Sequence, residues 1–144
     1  MTKYEDITTT EIEATCSKLL KEVGVTFRVM YIRYNPNAEW GHDEWEVTLC
    51  KQGEGHKFPF HTGTGLRRRG KPVKPSVACV LHSLLLDGAA MNQSFDDWCD
   101  EYGYNSDSIK DFNTYRKCVH TGRALRKIFS QVVWDELSLI LQNY

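Results

Sequence analysis

The stretch "DEWEVTLCKQGEGHKFPFHTG", residues 43–63, places Trp45, Val47 and Leu49 at every second position of its first half, and Phe58 and Phe60 likewise in its second. A period of two sets each group on one face of an extended chain. The "GEG" at 53–55 between them predicts the turn of a hairpin. Pro59 has no N–H to give to a ladder, so its strand belongs at a sheet edge. Upstream, "VTFRVMYIRY" (25–34) alternates in the same way: Val25, Phe27, Val29 and Tyr31 share one face, Met30, Ile32 and Tyr34 the other, and the pattern stops at "NPN". These three runs make a meander of three antiparallel strands. The polar segment "NPNAEWGHDE" (35–44), which carries Trp40, joins the first strand to the second.

The rest reads as helix. In "TTTEIEATCSKLLKEVG" (8–24), Ile12, Cys16, Leu19, Leu20 and Val23 recur at helical spacing, with Thr9 or Thr10 as the cap and Gly24 as the stop. "PSVACVLHSLLLDGA" (75–89) lines up Val77, Val80, Leu81, Leu84 and Leu85 as a core stripe, expected to pack with Phe27, Val47, Phe95 and Trp98. "SFDDWCDEYG" (94–103) has a capping pair in Ser94 and Asp97, puts Phe95, Trp98, Cys99 and Tyr102 on one face, and stops at Gly103. Helical patterns run from Asp107 to about Phe129 and from Val132 to Leu141, with Gly122 or Ser130 as the break. The fold class is therefore α+β: an N-terminal helix, a three-stranded antiparallel sheet and a C-terminal bundle of three or four helices. At 144 residues, 1–144 forms a single domain by length.

Composition narrows the function classes. With 41% hydrophobic and 26% charged residues the chain is globular, and no apolar run approaches the roughly 20 residues of a membrane span. "MTKYEDITTTEIEATC" has no apolar leader, which points to the cytoplasm. The five cysteines (Cys16, Cys50, Cys79, Cys99, Cys118) are scattered and form no C-x-x-C pair. Cys118 and His120 would point about 200° apart on a helix, which argues against a zinc site. No H-E-x-x-H, Ser-His-Asp or P-loop spacing occurs, so no catalytic residue, metal or cofactor is implied. His42, Asp43 and Glu44 need a distant partner to make a site.

Net charge is only −1, yet local charge is concentrated. "HTGTGLRRRGKPVKPS" (61–76) carries Arg67, Arg68, Arg69, Lys71 and Lys74 with no acid. A glycine-containing turn with arginines suits phosphate or an acidic partner surface, while a solvated edge-protecting turn is the plainer alternative. Residues 95–107 carry Asp96, Asp97, Asp100, Glu101 and Asp107 with no base, beside Tyr102 and Tyr104. That set suits a basic partner; singly, each acid is an ordinary solvated helix residue.

Two resemblances attach to these residues. The order helix, three strands, basic turn "GTGLRRRGKPVK" and core helix resembles double-stranded-RNA-binding domains over residues 10–87, which implies nucleic-acid binding through 66–74. Pro72 and Pro75 depart from that pattern by holding the basic residues off the helix, and the last 57 residues have no counterpart in it. From about Trp45 to Cys118, "WEVTL", "FHTGTGLR", "VLHSLLLD", "FDDWCDEYGYNSDS" and "YRKC" resemble small accessory proteins of tailed bacteriophages and prophages. That resemblance implies a counter-defence role of the anti-CRISPR kind: a non-enzymatic inhibitor in the host cytosol whose partner is a host defence protein or ribonucleoprotein complex.

Overall fold

The computed structural model describes residues 7–37 and 41–144; Trp40 and the first six residues, on which the leader argument partly rests, lie outside the described residues. The elements are α1 (Thr9–Glu22), β1 (Val25–Asn35), β2 (His42–Lys51), β3 (Glu54–Gly63), α2 (Val77–Gly88), α3 (Phe95–Tyr102), α4 (Ile109–Ile128) and α5 (Gln131–Ile140). This is the expected α+β order, with four helices after an antiparallel sheet of strand order β1-β2-β3. Contacts divide the chain into two compact units, Met1–Val80 with Tyr144, and Leu81–Asn143.

In the first unit the central strand β2 sets the pattern. Asp43, Trp45, Val47 and Leu49 are buried at alternate positions, and Phe58 and Thr62 of β3 and Val25 and Val29 of β1 are buried with them. Strand β3 lies at the edge, where Pro59 opposite Glu46 costs no ladder bond. The β2–β3 turn is Gln52–Gly53, between the paired Lys51 and Glu54, and not the "GEG" of 53–55. Both its residues have positive φ, the mirror-image geometry that matches strand twist. Helix α1 lies against β1 and buries Ile12, Cys16 and Leu20; its cap is Thr8, whose hydroxyl accepts from Glu11 N–H at 3.1 Å. The Glu13 carboxylate of α1 accepts from Val77 N–H at 2.9 Å and Ala78 N–H at 2.8 Å, capping α2 from outside.

Register breaks once. Tyr31 faces Trp45, but Arg33 faces Glu44 and Tyr34 faces Asp43, so Ile32 is the extra residue of a bulge. A bulge of one residue reverses which side chains face the core. Tyr34 therefore leaves the face of Met30, where strict alternation would put it, and joins Tyr31 beside Asp43. Met30 and Ile32 are exposed, so the expected partial cover of that face does not extend to them.

In the second unit α4 runs unbroken through Gly122, and the break falls at Phe129 and Ser130, whose hydroxyl caps α5 by accepting from Val133 N–H at 3.2 Å. Gly122 is instead a point of close approach. A methyl there would collide with the carbonyl oxygen of Gly88, and one on Gly88 would sit 2.9 Å from Gly122 Cα and 3.0 Å from Trp134. Ala90, Trp98 and Cys99 form a cluster of their own with Phe95, Tyr115, Cys118 and Val119, so Phe95 and Trp98 pack there and not on the α2 stripe as expected.

The Gly88–Gly122 crossing makes a clear prediction. Gly122→Ala gains helix propensity but forces backbone apart, so it should destabilise by about 1–3 kcal/mol. The check is a lower denaturant midpoint. An unchanged midpoint would show that the crossing opens without cost.

Candidate functional site

The chemistry gathers where β3 ends. Asp43 is the one acid on the core face of β2, and its side chain is 1% exposed. An isolated carboxylate there would carry a large desolvation cost, but this one accepts three hydrogen bonds. Tyr31 O–H donates to Oδ1 at 2.9 Å, Arg67 Nη2–H donates to Oδ1 at 2.6 Å, and Arg67 Nε–H donates to Oδ2 at 2.9 Å. The arginine fork matches the carboxylate in the bidentate geometry that a lysine cannot reproduce. Its guanidinium carbon stands 5.0 Å from the centroid of the Tyr34 ring, a cation–π contact made by the tyrosine that the bulge moved to the Asp43 side of β1. Beneath, Trp45 Nε1–H donates to Thr62 Oγ1 at 2.9 Å. Among the described residues, no buried side-chain nitrogen or oxygen lacks a partner.

These bonds set the titration. The hydrogen bonds from Arg67 are the main reason the Asp43 carboxyl is held below its usual range, against the opposing effect of burial. Burial and the Asp43 bond push the Tyr31 phenol up, and Asp43 keeps the Arg67 guanidinium charged. Both oxygens of Asp43 are engaged by Tyr31 and Arg67. The carboxylate holds Arg67.

Arg67 in turn braces the residues C-terminal to it. After the 3₁₀ turn Thr64–Leu66, its Nη1–H donates to the Gly70 carbonyl at 3.4 Å. Arg68 and Lys71 exchange both backbone bonds, at 2.9 and 3.0 Å, across Arg69 and Gly70, whose φ values are 52° and 73°. This is a two-residue mirror-image turn, and glycine at its second position removes half of the steric cost of left-handed backbone. "RRRGK" is thus a miniature hairpin braced from below by its own first arginine. Arg68, Arg69, Lys71 and Lys74 are exposed and form no ion pair with the described residues.

Of the five expected cations, then, four are presented together and Arg67 is internal. The sequence gives no local sign of this, because the Asp43 that claims Arg67 lies 24 residues away. His42, Asp43 and Glu44, which needed a distant partner, are separated by strand alternation. Asp43 faces the core; His42 stacks on His61 with ring centroids 4.6 Å apart, and Glu44 pairs with Arg33 at 3.3 Å.

The acidic residues Asp96, Asp97, Asp100 and Glu101 are exposed on α3, with Glu101 hydrogen-bonded by Gln93. Beside them Trp98 stacks on Tyr104 at 4.3 Å, and Tyr102, Tyr104 and Phe112 are partly exposed. As for nucleophiles, burial pushes the thiols up: Cys16 to about 12, Cys118 to about 11, and Cys79 and Cys99 in the same direction. Those four cysteines are protonated packing groups at neutral pH.

Two outcomes are expected. Asp43→Leu leaves Tyr31 and Arg67 without their acceptor and should lower the melting temperature, while Asp43→Leu with Arg67→Met should lose less than the sum of the two single changes. Because the folded Asp43 titrates below its unfolded value of about 3.9, its contribution is complete above that value and disappears as pH falls through the lower folded one. Acid unfolding curves should therefore show the double variant shedding less stability than the parent below about pH 4. Equal acid sensitivity would show that the pair does not govern this range. Comparison with protein-family models, curated proteins and solved structures gave no match.

Proposed function

We propose that the chain is a phage or prophage counter-defence protein of the anti-CRISPR kind, which works in the host cytosol by occupying a nuclease complex and not by catalysis. The observation that carries this reading is the braced hairpin of Arg68, Arg69 and Lys71 with Lys74 close behind, a fixed set of cations without internal acids. Such a surface fits the phosphate backbone of a guide RNA held in a ribonucleoprotein, because a loop whose backbone is already held in place loses little backbone freedom on binding. Binding is favoured over chemistry because the buried Asp43 carboxylate is engaged by Tyr31 and Arg67, and four of the thiols are held protonated. The phage origin rests on the sequence resemblance alone.

A second reading has one specific observation behind it. The order α1-β1-β2-β3-α2, with sheet order β1-β2-β3, resembles that of double-stranded-RNA-binding domains. A helix N-terminus is a natural phosphate site, yet here Glu13 occupies the first two amides of α2. A duplex would have to be held by the hairpin instead.

Stoichiometry separates a binder from an enzyme. Titrated against a purified host nuclease complex, the protein should reach full inhibition near one equivalent, and Arg68→Glu/Arg69→Glu/Lys71→Glu should lose capture without a change in melting temperature. Reversal of Asp96, Asp97, Asp100 and Glu101 should leave capture intact. Complete inactivation of a large excess of complex, with a covalent change on it, would overturn the reading. Retention of RNA alone, lost on nuclease treatment, would favour the second.

A further inference from the structure

Helix α4 carries a second set of uncompensated cations. Between Phe112 and Trp134 the chain has no acid, and Arg116, Lys117, His120, Arg123, Arg126 and Lys127 are all exposed on α4. At about 100° per residue, Arg116, His120, Arg123 and Lys127 fall within an arc of about 60°, spread over about 16 Å of helix. The opposite side holds the buried Gly122, Leu125 and Ile128. Among the described residues none of Arg116, Lys117, Arg123 and Lys127 forms an ion pair, and Arg126 donates only to Gln131.

Folding does not require this arrangement. The helix dipole favours cations in the last turn, which accounts for Arg126 and Lys127. It does not account for Arg116, Lys117 or Arg123. A helix face built only for solvation mixes signs at i and i+4, and like charges at that spacing, as at Arg123 and Lys127, cost stability.

We propose that the α4 stripe is a contact surface for the phosphate backbone of a nucleic-acid duplex. A linear array of Arg116, His120, Arg123 and Lys127, three cations and one hydrogen-bonding imidazole with successive axial steps of about 4.5–6 Å, suits a linear array of phosphates. A protein partner is the poorer fit, since protein interfaces centre on apolar anchors and are depleted in lysine, and no large apolar side chain is exposed between Arg116 and Lys127. Anionic membrane is poorer still, because the apolar side of α4 is already packed within its own unit. The inference rests on α4 alone and does not depend on the basic hairpin.

The test is fluorescence anisotropy of the full chain with a labelled 20-base-pair duplex of mixed sequence, as DNA and as RNA, across salt concentrations. Arg116, Arg123 and Lys127 on the stripe, with Lys117 about 60° outside it, allow about four phosphate contacts, so the DNA log–log slope should be about −3.6. Arg116→Gln/Arg123→Gln should make that slope shallower by about 1.8. Glutamine keeps the helix propensity, and a matching melting temperature confirms the fold. Arg68→Gln/Arg69→Gln is the parallel arm. A slope unchanged by the α4 pair and reduced by the hairpin pair overturns the α4 surface and assigns duplex contact to the hairpin; the reverse supports α4 and removes the hairpin as a contact for a free duplex. No duplex binding even at low salt, or equal binding to phosphatidylserine vesicles lost in the same α4 variant, also overturns the inference, while inhibition of a nuclease complex remains a separate measurement.

Discussion

A carboxylate on the core face of the central strand must be neutralised where it stands, and the first unit is organised around meeting that demand. Asp43 continues the row of Trp45, Val47 and Leu49, so its position is fixed by the same alternation that builds the core. Its partner has to come from a chain that has already left the sheet. That requirement explains the 3₁₀ turn after β3, which brings Arg67 back over the sheet end, and it gives the bulge at Ile32 a purpose, since only the shifted register sets Tyr34 under the guanidinium. Removing the charge altogether would simplify the core. What the pair supplies is direction: a fork of two bonds fixes where the next residues start, and a hydrophobic pair would not.

The strands and most helix limits can be read from periodicity and caps, because burial on one face imposes a repeat that composition cannot hide. Pro59 at an edge, Ser94 as a cap, Ser130 as a break and Gly103 as a stop each follow from a local property of one residue. Features that depend on a distant residue are not legible in this way. The bulge has no glycine or proline to mark it. Gly122 looks like a helix break by propensity, and becomes a packing residue only once Gly88 lies against it. Gln52 takes the left-handed turn position that the sequence pattern assigns to the glycines after it. The cations divide along the same line. A count along the chain finds 66–74, but it cannot subtract Arg67, whose acid is remote in sequence, and it passes over α4, where the charges are dispersed and meet only at helical spacing.

The distinction between internal and external charge decides what kind of function the surface can support. Asp43 and Arg67 act on stability because the carboxylate is buried and the guanidinium partly so, which limits screening by water. The exposed cations of the hairpin and of α4 add almost nothing to folding, since exposed pairs themselves are worth little. Successive positions along the α4 stripe are closer than the Debye length of about 8 Å at physiological salt, so neighbouring cations such as Arg123 and Lys127 repel one another. That repulsion is a small standing cost to the folded protein, and it falls when an anion is near.

In the two proposals, relief of this cost is also what would select a partner by shape. A compact anion satisfies one or two cations and leaves the remainder in mutual repulsion, whereas an extended polyanion meets a whole row and releases its own condensed counterions as it binds. On the hairpin the row is short and curved around Arg69 and Gly70; on α4 it is straight and follows the helix axis. The hairpin geometry matches a backbone that bends or is already held by another protein, and the α4 geometry matches a stiff duplex. Charge count alone does not separate these two surfaces. The curvature of the element that carries the charges does.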